Sequence, residues 1–86
     1  MGSKRGKWRI FFDIMDVLVK EEEIKRTRLM QRSTLDWNSF KKYFDFLLEN
    51  DLVVTKDGTE NVYKLSEEGK NVYQNLREVK KVFEVK

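Results

Sequence analysis

The sequence predicts a mainly α-helical domain that also contains a small β-hairpin. Apolar residues recur with helical spacing in three segments, at residues 7–20, 37–49 and 66–86. Two short runs rich in β-branched residues follow the second segment, at residues 52–56 and 61–65. The Asp57-Gly58 pair between these runs is typical of a hairpin turn. Because two strands alone are marginally stable, we expect the hairpin to pack on the helices.

The length and composition fit one folded domain. The chain has 86 residues, of which 40% are hydrophobic, and this proportion argues against disorder. No linker or repeat divides the sequence. We therefore expect a single domain over residues 1–86, with a flexible basic tail at 1–6, a body at 7–65 and a long C-terminal helix at 66–86.

Several residue types on which chemistry depends are absent. The chain has no Cys and no His, which removes disulfides, thiol chemistry, the commonest metal ligand and the commonest general base. Its four Gly residues form no phosphate-binding loop, and Glu21-Glu22-Glu23 is interpreted as a solvated turn rather than a metal site. The sequence predicts no enzyme, no catalytic residue, no metal site and no cofactor.

Hydropathy gives no sign of a membrane protein. No apolar run reaches membrane-spanning length, and Asp13 and Asp16 interrupt the apolar stretch that follows the basic N-terminal residues. That stretch is therefore not read as a signal peptide. We expect a cytoplasmic protein with no membrane partner, and no small-molecule effector is evident.

The first helix, at residues 7–20, is apolar nearly all round. Its polar residues form one narrow stripe, made of Arg9, Asp13, Asp16 and Lys20. A surface helix normally buries a single apolar stripe, so this helix needs cover on more than one side. We expect Trp8 and Trp37 to lie in the core, and Tyr43 to lie in the core or at its edge.

Capping residues mark the ends of the two middle helices. Thr27 is the predicted N-cap of a short helix that ends near Ser33. Asp36 is the predicted N-cap of the helix at 37–49. Asn50 is expected to end that helix in the left-handed conformation, which Asn tolerates.

The last helix has a defined start and an apolar seam. Ser66 is its predicted N-cap, and Glu67 and Glu68 lie where the positive end of a helix favours acidic side chains. An apolar seam with spacings of four, three and four residues is formed by Val72, Leu76, Val79 and Phe83. This spacing is that of a coiled coil of about two heptads. The seam can join two copies or pack on its own domain, and we favour the contact between copies.

Charge is distributed unevenly along the chain. The 18 Lys and Arg and the 15 Asp and Glu give a net charge of +3, but residues 25–42 hold six basic residues and one acidic residue. A surface with such a local excess attracts polyanions even when the net charge is small.

The order helix, short helix, helix, hairpin, long helix is that of a winged helix-turn-helix. In this motif the second helix of the pair, here 37–49, enters the major groove of DNA, and the hairpin at 52–65 is the wing. The predicted DNA-binding residues are Lys25, Arg26, Arg28, Arg32, Asn38, Ser39, Lys41, Lys42 and Lys56. The Lys and Arg residues are expected to bind mostly phosphate, and Asn38 and Ser39 to touch base edges.

Three stretches carry a resemblance to a known family: Thr27-Arg28-Leu29-Met30 through Leu35-Asp36-Trp37-Asn38-Ser39-Phe40-Lys41-Lys42-Tyr43, then Leu47-Leu48-Glu49-Asn50-Asp51-Leu52, then Tyr63-Lys64-Leu65-Ser66-Glu67-Glu68-Gly69-Lys70. In this order they resemble the archaeal winged helix-turn-helix DNA-binding family with an extended C-terminal dimerisation helix. That family includes small archaeal chromatin-type proteins and regulators of archaea and their viruses. The chain departs from it at Asp51, where Gly is more common, and Asn50 is expected to take the left-handed position.

The resemblance implies a homodimer joined through the last helices. The residues predicted to line its interface are Trp8, Phe12, Val72, Tyr73, Leu76, Val79 and Phe83. The sequence thus predicts a protein that binds double-stranded DNA as a homodimer, as a transcriptional regulator or as a nucleoid-associated architectural protein. No Arg lies on the exposed face of the helix at 37–49, so we expect low base specificity. A winged-helix protein-interaction module is the alternative, and RNA is a third candidate partner.

Overall fold

A computed structural model describes residues 6–56 and 61–84 of the chain. Its elements, in chain order, are α1 (Lys7–Glu21), β1 (Ile24–Lys25), α2 (Arg26–Ser33), α3 (Trp37–Glu49), β2 (Val53–Thr55), β3 (Val62–Leu65) and α4 (Glu67–Glu84). The predicted fold class, mainly α with a small hairpin, is confirmed. The hairpin turn predicted at residues 57–60 and the tail predicted at 1–6, apart from Gly6, lie outside the described residues.

The strands form an antiparallel sheet in the order β1-β3-β2, so the hairpin has a third strand on its edge. Ile24 of β1 lies opposite Tyr63 of β3, and Val53 of β2 lies opposite Leu65. A strand of two residues is too short for periodicity to reveal, because alternation needs a longer run. Its pairing connects the chain between α1 and α2 to the wing.

The core is built around α1, which contacts α2, α3, α4 and β3. Ile14 and Met15 are fully buried, and Leu18 is 1% exposed. They share one apolar cluster with Phe40 and Phe44 of α3. The expectation that α1 is covered on more than one side is confirmed.

The start of α2 differs from the prediction. Thr27 is not the N-cap, because the helix begins at Arg26 and the N-cap position falls on Lys25, which makes no side-chain capping bond. The physical reason is that β1 runs directly into the helix. The Arg26 backbone N–H donates to the Asn61 carbonyl at 3.3 Å, so backbone from the wing binds a group that a capping side chain would otherwise bind.

The predicted cap of α3 is confirmed, but its predicted end is wrong in detail. The Asp36 carboxylate accepts a hydrogen bond from the Ser39 backbone N–H at 2.7 Å. At the other end Asp51, with φ 59°, holds the left-handed position, whereas Asn50 has φ −99°. Asn50 stays close to helical geometry because its backbone N–H still donates to the Phe46 carbonyl at 3.1 Å.

Two further hydrogen bonds explain why the left-handed residue is Asp51. The Asp51 N–H donates to the Leu48 carbonyl at 3.1 Å, and the Leu52 N–H donates to the Leu47 carbonyl at 2.9 Å. This pair of bonds is the Schellman motif, which places the left-handed residue one position after the cap. Asp51 therefore occupies the position at which the resembling family more often has Gly.

The start of α4 is confirmed at Ser66. Its hydroxyl accepts from the Gly69 backbone N–H at 2.9 Å and donates to the Asp51 carbonyl at 2.6 Å, so it connects α4 to the end of α3. Gly69 lies against the chain that enters β2. A Cβ added there would lie 2.1 Å from the Leu52 carbonyl oxygen, far inside contact distance.

We predict that Gly69→Ala destabilises the fold by about 1–3 kcal/mol, because the added methyl group would force α4 away from the Leu52 backbone. Chemical denaturation followed by circular dichroism measures the loss. Lys70→Ala, at the exposed neighbouring position, is the matched control and should change stability little. Equal stability of Gly69→Ala and the wild type would contradict the close approach described here.

Candidate nucleic-acid interface

The exposed face of α3 begins directly after its cap. Phe40, Phe44 and Leu47 bury one side of the helix almost completely. Side chains on the opposite side therefore face outward. The exposed residues of the first two turns are Trp37, Asn38, Lys41 and Lys42, and Ser39 is half-buried.

Asp36 gives this helix end a fixed negative charge. The Ser39 N–H donates to its carboxylate, and this bond lowers the pKa of Asp36 below the ordinary value of 3.8. The carboxylate also lies at the positive end of the helix dipole. The capping interaction thus holds the first turn of α3 in place at neutral pH.

One basic side chain of α2 lies next to the start of α3, and two further cations are close to it in the sequence. The Arg26 guanidinium carbon lies 5.3 Å from the centroid of the Trp37 ring, and this contact joins the two elements. Lys25 and Arg28 are exposed and make no ion pair with a described residue. These cations therefore remain available to an anion.

Two predicted DNA-binding cations are instead paired within the protein. Arg32 binds Glu21 at 2.7 Å, and Lys56 binds Glu23 at 2.9 Å. Both acidic partners come from the end of α1 and the turn after it. These pairs are partly exposed, so each contributes little to stability, but each neutralises a cation on the predicted binding face.

The two lysines of α3 have local partners as well. Lys41 binds Asp45 one turn later at 2.9 Å, and this pair is exposed. The Lys42 ammonium lies 5.7 Å from the centroid of the Tyr43 ring. Because both lysine side chains are exposed, a phosphate can replace either contact at a small cost in free energy.

Three aromatic residues test the core predictions. Trp37 is 45% exposed, so its predicted place in the core is wrong. It is the first residue of α3, and the Arg26 side chain at the start of α2 lies over its ring. Trp8 packs against the core from outside. Tyr43 is half-buried with its ring 5.0 Å from that of Phe11, so its predicted place at the core edge is confirmed.

Some exposed apolar residues were not predicted from the sequence. Phe46 is 49% exposed on α3, and its ring centroid lies 5.1 Å from that of Phe11. Val82, near the end of α4, is 72% exposed. Phe46 falls outside the stripe that contains Phe40 and Phe44, so helical periodicity alone would have placed it on the outer face.

The predicted dimer residues separate into two groups. Phe12 and Tyr73 are 6% and 7% exposed, and their rings stack with centroids 5.2 Å apart. Because α1 and α4 of one protomer already cover these two side chains, they offer little surface to a second copy. The others are half-buried or exposed: Trp8, Val72, Leu76, Val79 and Phe83.

A partly buried hydrogen bond joins α4 to α1. The Tyr73 hydroxyl donates to the Asp16 carboxylate at 2.6 Å. Burial and this bond raise the pKa of Tyr73 to about 12. Burial acts to raise the pKa of Asp16, but hydrogen bonds from Tyr73 and Lys20 outweigh it and leave that pKa below its ordinary value.

Among the described residues, no cluster of three or more acidic, His or Cys side chains has the arrangement of a metal site. Within residues 6–56 and 61–84, no helix is both long enough and apolar enough to span a membrane.

Comparison with known proteins shows relatives over nearly the whole chain. A family model described as winged helix-turn-helix matches residues 4–84. The uncharacterized protein MJ0287 of Methanocaldococcus jannaschii is 38% identical over 76 residues, which are 88% of this chain and 74% of the relative. The uncharacterized protein MJ0290 of the same organism is 37% identical over 88% of this chain, but this chain spans only 34% of it.

Solved structures share the fold. The crystal structure of Sso10a-2, a DNA-binding protein from Sulfolobus solfataricus, has a TM-score of 0.80 and 26% identity over 93% of this chain and 83% of its own. The crystal structure of NadR in complex with 4-hydroxyphenylacetate has a TM-score of 0.69 and 20% identity, over 80% of this chain and 52% of its own. The crystal structure of a mutant MarR from E. coli complexed with operator DNA has a TM-score of 0.63 and 13% identity, over 84% of this chain and 64% of its own. At such identities the last two show the fold alone.

We predict that Tyr73→Phe keeps the ring stacking on Phe12 but lowers the free energy of unfolding at neutral pH by about 1.5 kcal/mol, because it removes a hydrogen bond to a carboxylate. The pKa of Tyr73 is raised from 10.0 to about 12 on folding. Its contribution is therefore complete below pH 10 and is lost as pH rises through about 12.

Denaturant titrations from neutral to alkaline pH measure both effects. Tyr73→Phe should lose less stability than the wild type across the alkaline range. Tyr63→Phe is the control, because Tyr63 is also largely buried but its side chain makes no hydrogen bond with a described residue. Identical alkaline slopes for the wild type and Tyr73→Phe would argue against the bond to Asp16.

Proposed function

Because this chain belongs to the winged helix-turn-helix family, we propose that it binds double-stranded DNA as a homodimer, with α3 in the major groove and residues 52–65 as the wing. The observation that carries the proposal is the surface formed by the first turns of α3 and the adjoining cations of β1 and α2. We call this surface the basic face, made of Lys25, Arg26, Arg28, Asn38, Lys41 and Lys42.

The chemistry of the basic face fits duplex DNA. Lys25, Arg26 and Arg28 lie where α2 approaches the groove in this motif, and they would bind phosphate oxygens. Asn38 is exposed in the first turn of α3, the part of a recognition helix that contacts base edges. Sso10a-2, which has the same fold at 26% identity, is a DNA-binding protein.

The internal ion pairs refine the predicted set of DNA-binding residues. Arg32 and Lys56 are bound to Glu21 and Glu23, so we assign them a secondary role on the DNA backbone. Ser39 is half-buried beside the cap, which limits its reach toward bases. The main contacts are therefore assigned to the basic face.

A homodimer would be joined through the C-terminal half of α4. Val79 is 39% exposed, and Val82 and Phe83 are more than 70% exposed, which leaves apolar area for a second copy to cover. Trp8 of α1 extends this area, since its ring stacks on Phe83 with centroids 6.0 Å apart. A two-fold axis through this surface would present two basic faces to one duplex.

The role that fits these features best is a non-enzymatic DNA-binding regulator or nucleoid-associated architectural protein. Residues 37–49 contain no Arg, the side chain that most often reads guanine in the major groove. Phosphate contacts would then supply most of the affinity, and many sequences would be bound. A protein-interaction module is the second candidate, which the exposed Phe46 and Val82 favour.

We predict that the affinity for a mixed-sequence duplex falls steeply with salt, and that Lys25→Gln/Arg28→Gln makes the slope of log K against log salt shallower by about two. Each phosphate contact contributes about −0.9 to that slope. Fluorescence anisotropy of a labelled duplex at several salt concentrations measures it.

Lys70→Gln/Lys81→Gln removes the same charge from exposed positions on α4 and should leave the slope unchanged. A wild type that binds no duplex at low salt would refute DNA binding and would favour the protein-interaction module. Equal slope changes in both double variants would show that binding follows net charge and not the basic face.

We predict that the wild type is a dimer in the micromolar range and that Val79→Glu/Phe83→Glu is a monomer, because the new charges would lie in the apolar seam. Sedimentation equilibrium distinguishes the two states. Phe46→Glu, which introduces a charge at an exposed aromatic position on α3, should remain a dimer. A monomeric wild type, or a dimer that only Phe46→Glu dissociates, would contradict the proposed interface.

A further inference from the structure

Trp37 is an unusual residue to find at the surface. It is the first residue of α3 and is 45% exposed, whereas the next aromatic residue of the helix, Phe40, is fully buried. Indole carries a large apolar area, so leaving it in water forgoes a substantial free energy of burial. Its place at the recognition end of α3, beside Asn38, is where base contacts are made in this motif.

The surroundings of the Trp37 ring limit what can contact it. The Arg26 guanidinium already lies over the ring, 5.3 Å from its centroid. The Phe40 ring lies 6.3 Å away at 30°, so Trp37 is also held from the core side. A base that stacked on the face under Arg26 would have to displace that side chain, so the ring is better placed to touch a partner with its free apolar surface.

Duplex DNA offers one apolar group in the major groove, the C5-methyl group of thymine. The adenine paired with it presents N6 and N7, which an Asn amide matches with two hydrogen bonds. Trp37 and Asn38 are adjacent and both exposed. Together they offer an apolar ring for the thymine methyl group and an amide for the adenine of an A·T base pair.

Other side chains of α3 are less suited to reading guanine. The helix has no Arg. Lys41 is paired with Asp45, and Lys42 lies over the Tyr43 ring.

We propose that Trp37 and Asn38 give this protein a preference for A·T base pairs read from the major groove, with Trp37 touching the thymine methyl group. The proposal rests on the DNA binding proposed above and adds a modest base preference to a mostly phosphate-driven affinity. Burying one methyl group corresponds to about a fourfold change in affinity.

The test compares two A·T-rich duplexes of one sequence, one with thymine and the other with uracil at every thymine position. Uracil lacks only the C5-methyl group, so phosphates, pairing and the minor-groove acceptors stay the same. The wild type should bind the thymine duplex about fourfold more tightly for each methyl group it contacts. Trp37→Ala should bind the two duplexes equally.

Phe46→Ala is the matched control, since it also removes an exposed aromatic side chain from α3 and should keep the thymine preference. Equal wild-type affinity for both duplexes would overturn the inference while leaving DNA binding intact. A preference that persists in Trp37→Ala would overturn the role of Trp37. Failure to bind either duplex would refute the proposed function itself.

A second measurement does not depend on the folding of a Trp37 variant. The chain has two Trp residues, so Trp8→Phe leaves Trp37 as the sole indole fluorophore. Its emission should shift and lose intensity when the thymine duplex is added, because the exposed ring is desolvated in the groove. Emission that stays unchanged while anisotropy reports binding would contradict the contact.

Discussion

The arrangement of this protein depends on the burial of α1 among the other elements. Ile14, Met15 and Leu18 lie at the centre of the core, and the helix contacts α2, α3, α4 and the central strand of the sheet. A helix that is apolar nearly all round cannot lie at the surface without exposing a large apolar area. The recognition helix, the wing and the last helix are thus all positioned relative to α1.

That central position also decides which charges remain available on the outer surface. The acidic end of α1 reaches α2 and the wing, where Glu21 and Glu23 neutralise Arg32 and Lys56. On its other side, Asp16 accepts the Tyr73 hydroxyl and holds α4 in place. Lys25 and Arg28 make no ion pair with a described residue, so their positive charge stays available on the basic face.

Local signals in the sequence were sufficient for much of the fold. Asp36 and Ser66 were predicted as caps because their side chains bind backbone within a few residues. The prediction for Thr27 was wrong because the start of α2 depends on a partner distant in sequence, and the prediction for Asn50 was wrong because backbone bonds within the last turn of α3 decide which residue is left-handed. The wing carbonyl of Asn61 binds the start of α2, and two backbone bonds at the end of α3 select Asp51 as the left-handed residue.

The candidate site, like the fold, could be predicted from the sequence only where local signals decide it. Charge clustering identified the cations, but not which of them pair with Glu21 or Glu23, because those contacts join distant elements. Trp37 is expected in the core because Trp side chains are usually largely buried, yet the core ends before the first residue of α3. The spacing of the apolar seam on α4 could be recognised in the sequence. The stacking of Tyr73 on Phe12 could not, because it depends on how α1 packs against α4.

Amide chemical-shift mapping would show which residues duplex DNA contacts, and so whether it binds the basic face. A short duplex would be titrated into the isotopically labelled wild type at low salt. If duplex DNA binds the basic face, the largest amide shifts fall on residues 25–28 and 37–42, and the amides of α4 change little. Shifts confined to α4, or no shifts at all, would contradict binding at the basic face.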